Sequence, residues 1–423
     1  MKRNAPLIIM LLAIVVMITG CSKNASGSGG PVARKATVNV MWTAAMNQSN
    51  VIRQIIEEKF AVQHPDITVV FSEVPQNEIN NKGLMEAIGK TGAYDVLMQN
   101  LHVPALVNIN ALEALDPYIE RDNFPMDKMI DNGVTYQGKT WGIPVRGDVR
   151  VLHYNAQHFI DAGLDPDKPP ATLEEYTEYA KILTRAGRFG QNRNPNNVDN
   201  FTSILFQFGG EFINDKFEPV YNSDAGVMAL QYMIDQYKAG YVDSQSTSWD
   251  YSAEIAGFLS GGGAMFDCWP ARYIDAGMPE KSKIAGSQRV AALPGAAALV
   301  SGWHMVMFNS TKDKDAAWEF MKFVADPACQ KEVILRGGDC NPTHLDVLND
   351  PELQEKYEIL RAVSDSFDKT KIYCLSTQYE AVRSHINDEM QKAFQGVKTA
   401  RQALDDAAKL SRQALIDAGE LKI

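Results

Sequence analysis

Two spacings of apolar residues alternate along the first third of the chain. Thr37 to Trp42 alternates and is rich in valine, which is typical of a strand, and Ile67 to Val74 and Tyr94 to Met98 predict two more. Behind Ser49, a helix-capping residue type, the apolar positions from Val51 to Phe60 recur at helical spacing. Strands that alternate with helices predict a largely parallel sheet, and such sheets bind ligands at the carboxyl ends of their strands.

The rest of the chain continues this alternation and then becomes helical. Short apolar runs predict strands over Val149 to Tyr154, Ala264 to Phe266 and Met305 to Phe308. From Asp313 onward helical patterns dominate, and good helix formers predict a terminal helix over Ala400 to Leu421. The 423 residues exceed what one ordinary core holds, so we expect two domains.

The beginning of the chain resembles an export signal. Two basic residues precede an apolar run from Leu7 to Ile18, which is short for a helix that must cross a bilayer. Ile18-Thr19-Gly20-Cys21 resembles the cleavage box of bacterial lipoproteins, with Ile and Thr at positions usually held by Leu and by Ala or Ser. We predict a signal peptide over residues 1–20, a lipid (palmitate) on Cys21, and a flexible linker over residues 21–35. This places the protein on the extracytoplasmic face of the cell membrane, and the alternative is an uncleaved membrane anchor.

Composition and motifs narrow the classes of function. The 52 acidic residues outnumber the 41 basic ones and give a net charge of −11, which disfavours nucleic acid as a partner. The sequence lacks a Walker-type phosphate loop, a G-x-S-x-G elbow and a His-Glu-x-x-His helix, so we predict no metal and no cofactor. Four cysteines follow Cys21 and are either free buried thiols or paired in one of three ways: Cys268, Cys329, Cys340 and Cys374.

Aromatic and polar side chains gather at the predicted strand ends and loops. The C–H faces of a pyranose or a polyol stack on indole rings, while the hydroxyl groups bind amides, acids and guanidinium groups. We therefore predict a ligand site formed by Trp42, Asn47, Gln99, Asn100, Arg146, Asp148, Trp249, Asp250, Asp267, Trp269, Trp303 and His304. Two alternatives stay open: the tryptophans are core residues, or the acids Asp148 and Asp267 hydrolyse glycosides.

Several short segments carry a family resemblance. They are Tyr94-Asp95-Val96, Ala111-Leu112-Glu113-Ala114-Leu115-Asp116, Gly138-Lys139-Thr140-Trp141-Gly142-Ile143-Pro144, Tyr154-Asn155, Thr172-Leu173-Glu174-Glu175, Phe258-Leu259-Ser260-Gly261 with Gly263-Ala264-Met265, and Asn341-Pro342-Thr343. By their order and spacing the chain resembles the family 1 extracellular solute-binding proteins, the maltodextrin-binding-protein-like sugar receptors of ABC importers. The resemblance runs from about Val38 to Gly419.

The resemblance implies an α/β fold with two lobes, each a mostly parallel sheet flanked by helices, with a three-crossover hinge and a ligand cleft between the lobes. On this basis residues 36–146 and 306–345 form the N-terminal lobe, and residues 147–305 and 346–423 form the C-terminal lobe. The implied function is that of a monomeric, non-catalytic receptor that captures a carbohydrate and delivers it to the membrane permease of an ABC transporter.

The resemblance also assigns roles to single positions. Asp148 falls where the family often places an acidic sugar ligand, Trp269 falls at a stacking aromatic, and Gln99 and Asn100 fall at a contact point after the third strand. Maltodextrin-type members have an aromatic residue near Gln99, so we predict a compact ligand, a mono- or disaccharide or a sugar alcohol. The alternatives are an extracellular glycan-active enzyme, or a receptor for an oligosaccharide or another small solute that feeds a chemosensor.

Overall fold

A computed structural model describes residues 35–43, 48–76, 78–100, 102–130, 133–185, 187–372 and 376–422. The predicted signal peptide, the predicted lipidation site at Cys21, the predicted linker over residues 21–35 and the candidate ligand residue Asn47 lie outside these ranges, except for residue 35, and Cys374 lies outside them as well. Cys268, Cys329 and Cys340 lie within them and are free, buried thiols. Of the helices in the described part, none is both long and apolar enough to cross a membrane.

The longest described strands are β1, β2 and β6, with 8 residues each, and β11, with 10 residues. In chain order, the described residues contain β1 (Ala36–Thr43), β2 (Ile67–Val74), β3 (Val96–Gln99), β4 (Thr135–Tyr136), β5 (Lys139–Thr140), β6 (Gly142–Val149), β7 (Val151–Asn155), β8 (Phe189–Gln191), β9 (Gly263–Cys268), β10 (Gln288–Ala292), β11 (Ala298–Met307) and β12 (Thr370–Ile372).

These strands form two main sheets. The six-stranded sheet has the order β12-β11-β3-β1-β2, with β6 also paired to β11, and the four-stranded sheet has the order β10-β7-β9-β8. In the larger sheet β1 runs parallel to both β2 and β3, as the alternation of strands and helices predicts. The smaller sheet departs from the expected mostly parallel order, because β7 pairs antiparallel with both β9 and β10. Parallel neighbours in a sheet need a crossover connection, which is usually a helix. Strand β7 enters the smaller sheet directly from β6, without such a helix, and pairs with its neighbours in the antiparallel sense.

Helices cover both sheets. They are α1 (Gln48–Ile55), α2 (Ala61–Gln63), α3 (Ile79–Gly89), α4 (Val103–Asn108), α5 (Asp116–Asp122), α6 (Ala156–Ala162), α7 (Leu173–Leu183), α8 (Val198–Gln207), α9 (Asp224–Lys238), α10 (Tyr251–Leu259), α11 (Arg272–Gly277), α12 (Lys314–Ala325), α13 (Pro327–Leu335), α14 (Leu345–Leu348), α15 (Pro351–Lys356), α16 (Glu358–Phe367), α17 (Tyr379–Phe394) and α18 (Ala400–Asp417). The turn Ile56–Phe60 is π-helical and joins α1 to α2.

Separate apolar cores stabilise the two sides of the molecule. On the larger sheet, α12 buries Trp318 and Phe320 against the sheet, and Phe60 packs on Phe320. On the other side, α8, α9, α17 and α18 pack together around side chains such as Leu205 and Ile386, which are wholly buried. The strands of the smaller sheet pack in further buried clusters, which include Val151, Leu152 and Phe266.

The chain passes between the lobes through strands and a helical segment. Strand β6 belongs to the larger sheet and continues as β7 in the smaller one, and β10 of the smaller sheet leads back into β11 of the larger one. After α13, which packs on α1 and α12, the chain returns to α16, which packs on β7 and β10. The limits predicted above for each lobe stay predictions.

One predicted strand is divided in the structure. We expect a continuous strand over Val149 to Tyr154, but β6 ends at Val149 and β7 begins at Val151. Arg150 separates them because the backbone leaves one sheet and joins the other at this residue. Asp148, expected just before the strand, therefore lies inside β6 and faces the partner strand β11.

Candidate ligand-binding site

A cleft of about 880 Å³ opens between elements of the two lobes. On one side lie the start of α3 and the end of β3, on the other the starts of α8, α10 and α17, and β6 and β11 form the floor between them. The described residues that line it are mostly polar: Gln76, Asn80, Asn81, Asn100, His102, Arg146, Asp148, Asn197, Asp199, Asp250, Tyr251, Ser252, Trp269, Arg272, Ser301, Trp303, Tyr379, Glu380 and Arg383.

Amide side chains dominate the side of the cleft next to the larger sheet. Asn80 and Asn81 lie in the first turn of α3, and Asn100 directly follows β3. Asn80 Nδ2 donates a hydrogen bond to Asn100 Oδ1 over 3.2 Å. Because each amide can both donate and accept, this side of the cleft suits a ligand that carries hydroxyl groups.

The floor of the cleft is a pair of antiparallel strands. Trp303 on β11 lies opposite Arg146 on β6, and Ser301 lies opposite Asp148. Side chains two residues apart on a strand point to the same face, so all four side chains reach the cleft together. An aromatic ring, a hydroxyl group, a guanidinium group and a carboxylate are thus presented side by side.

The charges on the floor compensate one another. Arg146 Nε lies 3.2 Å from Asp148 Oδ1, and Arg146 Nη1 lies 3.6 Å from Asp339 Oδ2. Burial lowers the pKa of Arg146, but Asp148 and Asp339 outweigh it and hold this pKa above its ordinary value. Asn341 Nδ2 donates to Asp148 Oδ1 over 2.7 Å and fixes the carboxylate. With two carboxylates around it, the charge of Arg146 is compensated within the protein.

The opposite side of the cleft is formed by the first turns of helices. Asn197 caps α8, its Oδ1 accepting from the backbone N–H of Asp199 over 2.9 Å. Asp250 caps α10, its Oδ1 accepting from the backbone N–H of Ala253 over 2.8 Å. Capping bonds of this kind hold the backbone and the side chain together, so both polar groups are fixed at the edge of the cleft.

An indole ring lies between these helix starts and the floor. Trp269 follows β9, is half-buried and lines the cleft. On its inner side the guanidinium carbon of Arg150 lies 5.2 Å from the ring centroid, within cation–π distance. The ring therefore has one side occupied by the protein and its exposed part available to a ligand.

The structure brings together six of the twelve residues predicted for the site. The six that line the cleft are Asn100, Arg146, Asp148, Asp250, Trp269 and Trp303. Five others are described but do not line it: Trp42, Gln99, Trp249, Asp267 and His304. The site therefore forms around the two crossing strands and the loop after β9.

Asp267 is held inside the protein by strong partners. Arg150 Nε donates to its Oδ1 over 2.6 Å and Ser203 Oγ donates to its Oδ2 over 2.7 Å. The side chain is 4% exposed, and each carboxylate oxygen accepts from one of these partners. Of the two acids on which the glycosidase alternative depends, Asp148 lines the cleft and Asp267 does not.

The other four residues are held away from the cleft by packing. Trp42 is buried against Phe71 in the core of the larger sheet, and the ring of Trp249 lies against Gly257 of α10. Gln99 and His304 are neighbours on paired strands and are both buried. Burial lowers the pKa of His304 to about 4, so this imidazole is neutral at ordinary pH.

Some residues that line the cleft are not among those predicted from the sequence. Ser301 lies two positions before Trp303, and the two-residue period of a strand would have found it. Asn80 follows no aromatic or acidic cluster, and Tyr379 and Arg383 come from α17, which reaches the cleft only through tertiary packing on α8 and α9. No local pattern marks these residues.

A family model described as "Bacterial extracellular solute-binding protein" matches residues 45–331. A curated relative over nearly the whole length is the arabinooligosaccharide-binding protein of Bacillus subtilis, 24% identical, with 96% of this chain and 98% of the relative covered. Another, from Sinorhizobium fredii, is described as a probable amino-acid ABC transporter periplasmic-binding protein; it is 26% identical, with 69% of this chain and 67% of the relative covered.

Solved structures share the fold. Maltose-bound MalE3 of T. maritima superposes with a TM-score of 0.76 at 24% sequence identity, with 90% of this chain and 100% of that chain covered. Other solute-binding proteins of this fold hold ribitol or D-mannitol. The two-lobed architecture described above is the one that these structures have.

Proposed function

Because this chain belongs to the family of bacterial extracellular solute-binding proteins, we propose that its cleft captures a mono- or disaccharide or a sugar alcohol and delivers it to the permease of an ABC importer. Relatives described as arabinooligosaccharide- and mannitol-binding proteins support this proposal, as do structural neighbours that hold maltose or ribitol.

The side chains on the floor of the cleft are the main support for a carbohydrate or polyol ligand. The floor presents Trp303, Arg146, Asp148 and Ser301 on one face, and Trp269 lies across the cleft from the amide groups. Indole rings stack on the C–H face of a sugar, and a carboxylate beside a guanidinium group accepts and donates hydrogen bonds to adjacent hydroxyls. The paired charges of Arg146 and Asp148 favour a neutral, hydroxyl-rich solute over an anion.

A thermal-shift screen tests this proposal. Residues 36–423 are heated with monosaccharides, disaccharides and sugar alcohols, and with amino acids, because one relative is described as an amino-acid receptor. A ligand at about 100 times its Kd stabilises the folded protein by about 2.7 kcal/mol and raises its Tm. A rise with amino acids or anions and with none of the carbohydrates would contradict the proposed ligand class.

We further propose that the protein binds without catalysis. A glycosidase needs two carboxyl groups on either side of the scissile bond, and Asp267, the partner predicted for Asp148, is engaged by Arg150 and Ser203. Incubation of the protein with the bound sugar should return that sugar unchanged by chromatography. Release of a hydrolysis product by the wild type, lost in Asp148→Asn, would establish an enzyme instead.

We also propose that a lipid on Cys21 anchors the receptor to the outer face of the membrane. It is supported by the resemblance of Ile18-Thr19-Gly20-Cys21 to a lipoprotein cleavage box and by the Ser- and Gly-rich composition of residues 22–35. A flexible tether raises the effective concentration of the receptor near its permease without fixing its orientation. Cells fed labelled palmitate should label the wild type and not Cys21→Ala, and equal labelling of both would disprove this anchor.

A further inference from the structure

Arg150 occupies the point at which the chain passes from one lobe to the other. It is the single residue between β6 of the larger sheet and β7 of the smaller one. Its backbone N–H donates to the carbonyl oxygen of Leu299 on β11, the other crossing strand, over 3.0 Å. The residue is 2% exposed and does not line the cleft.

The guanidinium group of Arg150 forms hydrogen bonds with residues next to the cleft. Its Nε donates to Asp267 Oδ1 over 2.6 Å, and its Nη2 donates to Asn200 Oδ1 over 2.7 Å and to the backbone oxygen of Asp267. The central carbon of the same guanidinium group lies over the ring of Trp269, 5.2 Å from its centroid. Only arginine offers several donors in one plane together with a flat face that stacks on an aromatic ring.

The hydrogen bonds of Arg150 continue to both helix starts on that side of the cleft. Asn200, in the first turn of α8, donates from Nδ2 to Glu254 Oε1 over 2.8 Å. Glu254 lies in the first turn of α10 and also accepts from the backbone N–H of Asn194 over 2.8 Å. Burial raises the pKa of Glu254. The loop after β9, the start of α8 and the start of α10 thus share one buried polar network.

The backbone of Trp269 is held from β7 as well. His153 Nε2 lies 3.1 Å from the carbonyl oxygen of Trp269. Burial lowers the pKa of His153 to about 3, so the ring is neutral and donates this bond through its single N–H. The residues that flank the crossing therefore fix Trp269 twice, at its ring and at its carbonyl group.

A purely stabilising role explains this arrangement poorly. A buried ion pair loses about as much free energy by desolvation as it gains by attraction, and apolar replacements of similar volume are often as stable. What the pair of Arg150 with Asp267 does supply is a defined position for the guanidinium group that lies over the ring of Trp269.

We propose that Arg150 is a positioning residue of the ligand site: without touching the solute, it holds the Trp269 ring at its stacking angle and ties that ring to the crossing between the lobes. The proposal rests on the proposed carbohydrate site only for its effect on affinity. Its effect on the ring itself exists without any ligand.

A ligand-free measurement tests the ring. The full-length chain is labelled with 5-fluorotryptophan, and the ¹⁹F signals of Trp269 and Trp303 are assigned with Trp269→Phe and Trp303→Phe. In Arg150→Met the Trp269 signal should shift and broaden while the Trp303 signal stays in place. An unchanged Trp269 signal in a folded Arg150→Met would overturn the proposal.

A double-mutant cycle tests the effect on binding. When Trp269 is present, Arg150→Met should raise the Kd for a sugar identified in the screen about tenfold. When Trp269 has been replaced by Ala, the same change should raise the Kd by less than about twofold. Equal losses in both backgrounds would show that Arg150 acts independently of Trp269. Binding of no carbohydrate by the wild type would instead count against the proposed function, and the ¹⁹F result would still decide the role of Arg150.

Two variants separate positioning from folding. Arg150→Lys keeps the charge next to Asp267 but loses the planar fork, so it should keep near-native stability to urea and still bind weakly; full recovery of affinity by lysine would contradict the proposal. Arg188→Met is the matched control, because Arg188 is 14% exposed at its side chain, pairs with Asp161 and lies outside the cleft lining. It should leave both the Trp269 signal and the Kd unchanged.

Discussion

Asp148 combines a fixed position with unused hydrogen-bonding capacity. Arg146 Nε and Asn341 Nδ2 both lie within contact distance of its Oδ1, and the residue lines the cleft. A carboxylate has two oxygens and accepts about four hydrogen bonds, so capacity for a ligand remains. This is the residue at which charge-assisted binding of sugar hydroxyls is best supported.

Replacing this carboxylate should weaken binding without unfolding the protein. Hydrogen bonds to a charged group contribute about 1.5–3 kcal/mol, so Asp148→Asn should raise the Kd by about 10- to 100-fold in calorimetric titration. Asp388→Asn, an exposed change on α17 outside the cleft lining, removes the same charge and should leave the Kd unchanged. An unaltered Kd in Asp148→Asn, or equal losses in both variants, would contradict a direct contact.

His304 makes the stability depend on pH. Burial lowers the pKa of His304 from 6.5 to about 4, so between these values the unfolded chain binds a proton that the folded protein does not. Its contribution is therefore fully present above about pH 6.5 and is lost, by up to about 1.4 kcal/mol per pH unit, as the pH falls towards 4. In urea unfolding, His304→Gln should lose less stability than the wild type between about pH 7 and pH 4.5. Parallel losses would contradict the assignment.

For single residues, the sequence predicts the location of side chains on strands better than it predicts which side chains form buried hydrogen-bond networks. Asp148 and Trp303 could be placed at the same edge because both lie on or beside predicted strands. Asp267 shows the same local pattern, but its environment depends on Arg150 and Ser203, which are distant in sequence. A buried ion pair leaves no local signature, so the sequence could not separate Asp267 from the cleft acids.

Among the elements, α18 is stabilised at its start by a capping box. Thr399 Oγ1 accepts from the backbone N–H of Gln402 over 3.2 Å, and Gln402 Oε1 accepts from the backbone N–H of Thr399 over 3.0 Å. Helix α18 packs on α9 and α17 and does not line the cleft. Its stability and the affinity for ligand should therefore be separable.

Thr399→Ala should lower the free energy of unfolding by about 1 kcal/mol and leave the Kd unchanged, because it removes a cap far from the ligand. Urea unfolding and calorimetric titration measure the two effects. Thr399→Ser keeps the hydroxyl group and should retain most of the stability. A larger change in Kd than in stability would show that α18 is coupled to the cleft.

Elements with a clear period are predicted well, and the crossing between the lobes is not. The terminal helix expected over Ala400 to Leu421 is observed as Ala400–Asp417, and the first strand is observed as Ala36–Thr43. The apolar run after Asp148 looks like one strand, because both halves are buried on both faces and no turn residue separates them. The change of sheet at Arg150 is a tertiary event that hydrophobic spacing does not record.

At the scale of the whole molecule, the cleft arises from the way the chain crosses. Strands β6 and β11 belong to the larger sheet and continue from or into strands of the smaller one, so the floor of the cleft is also the connection between the lobes. The family resemblance predicts this architecture from the order of its motifs. It does not predict the contribution of α17, whose residues reach the cleft only once the whole molecule is packed.

The central claim is that this cleft binds a neutral carbohydrate or polyol, and isothermal titration calorimetry measures it directly. Residues 36–423 should bind one molecule of a mono- or disaccharide or sugar alcohol per chain, saturably, and Trp269→Ala and Asp148→Asn should each weaken that binding. Saturable binding of an amino acid or an anion, with no heat from any carbohydrate or polyol, would contradict the claim.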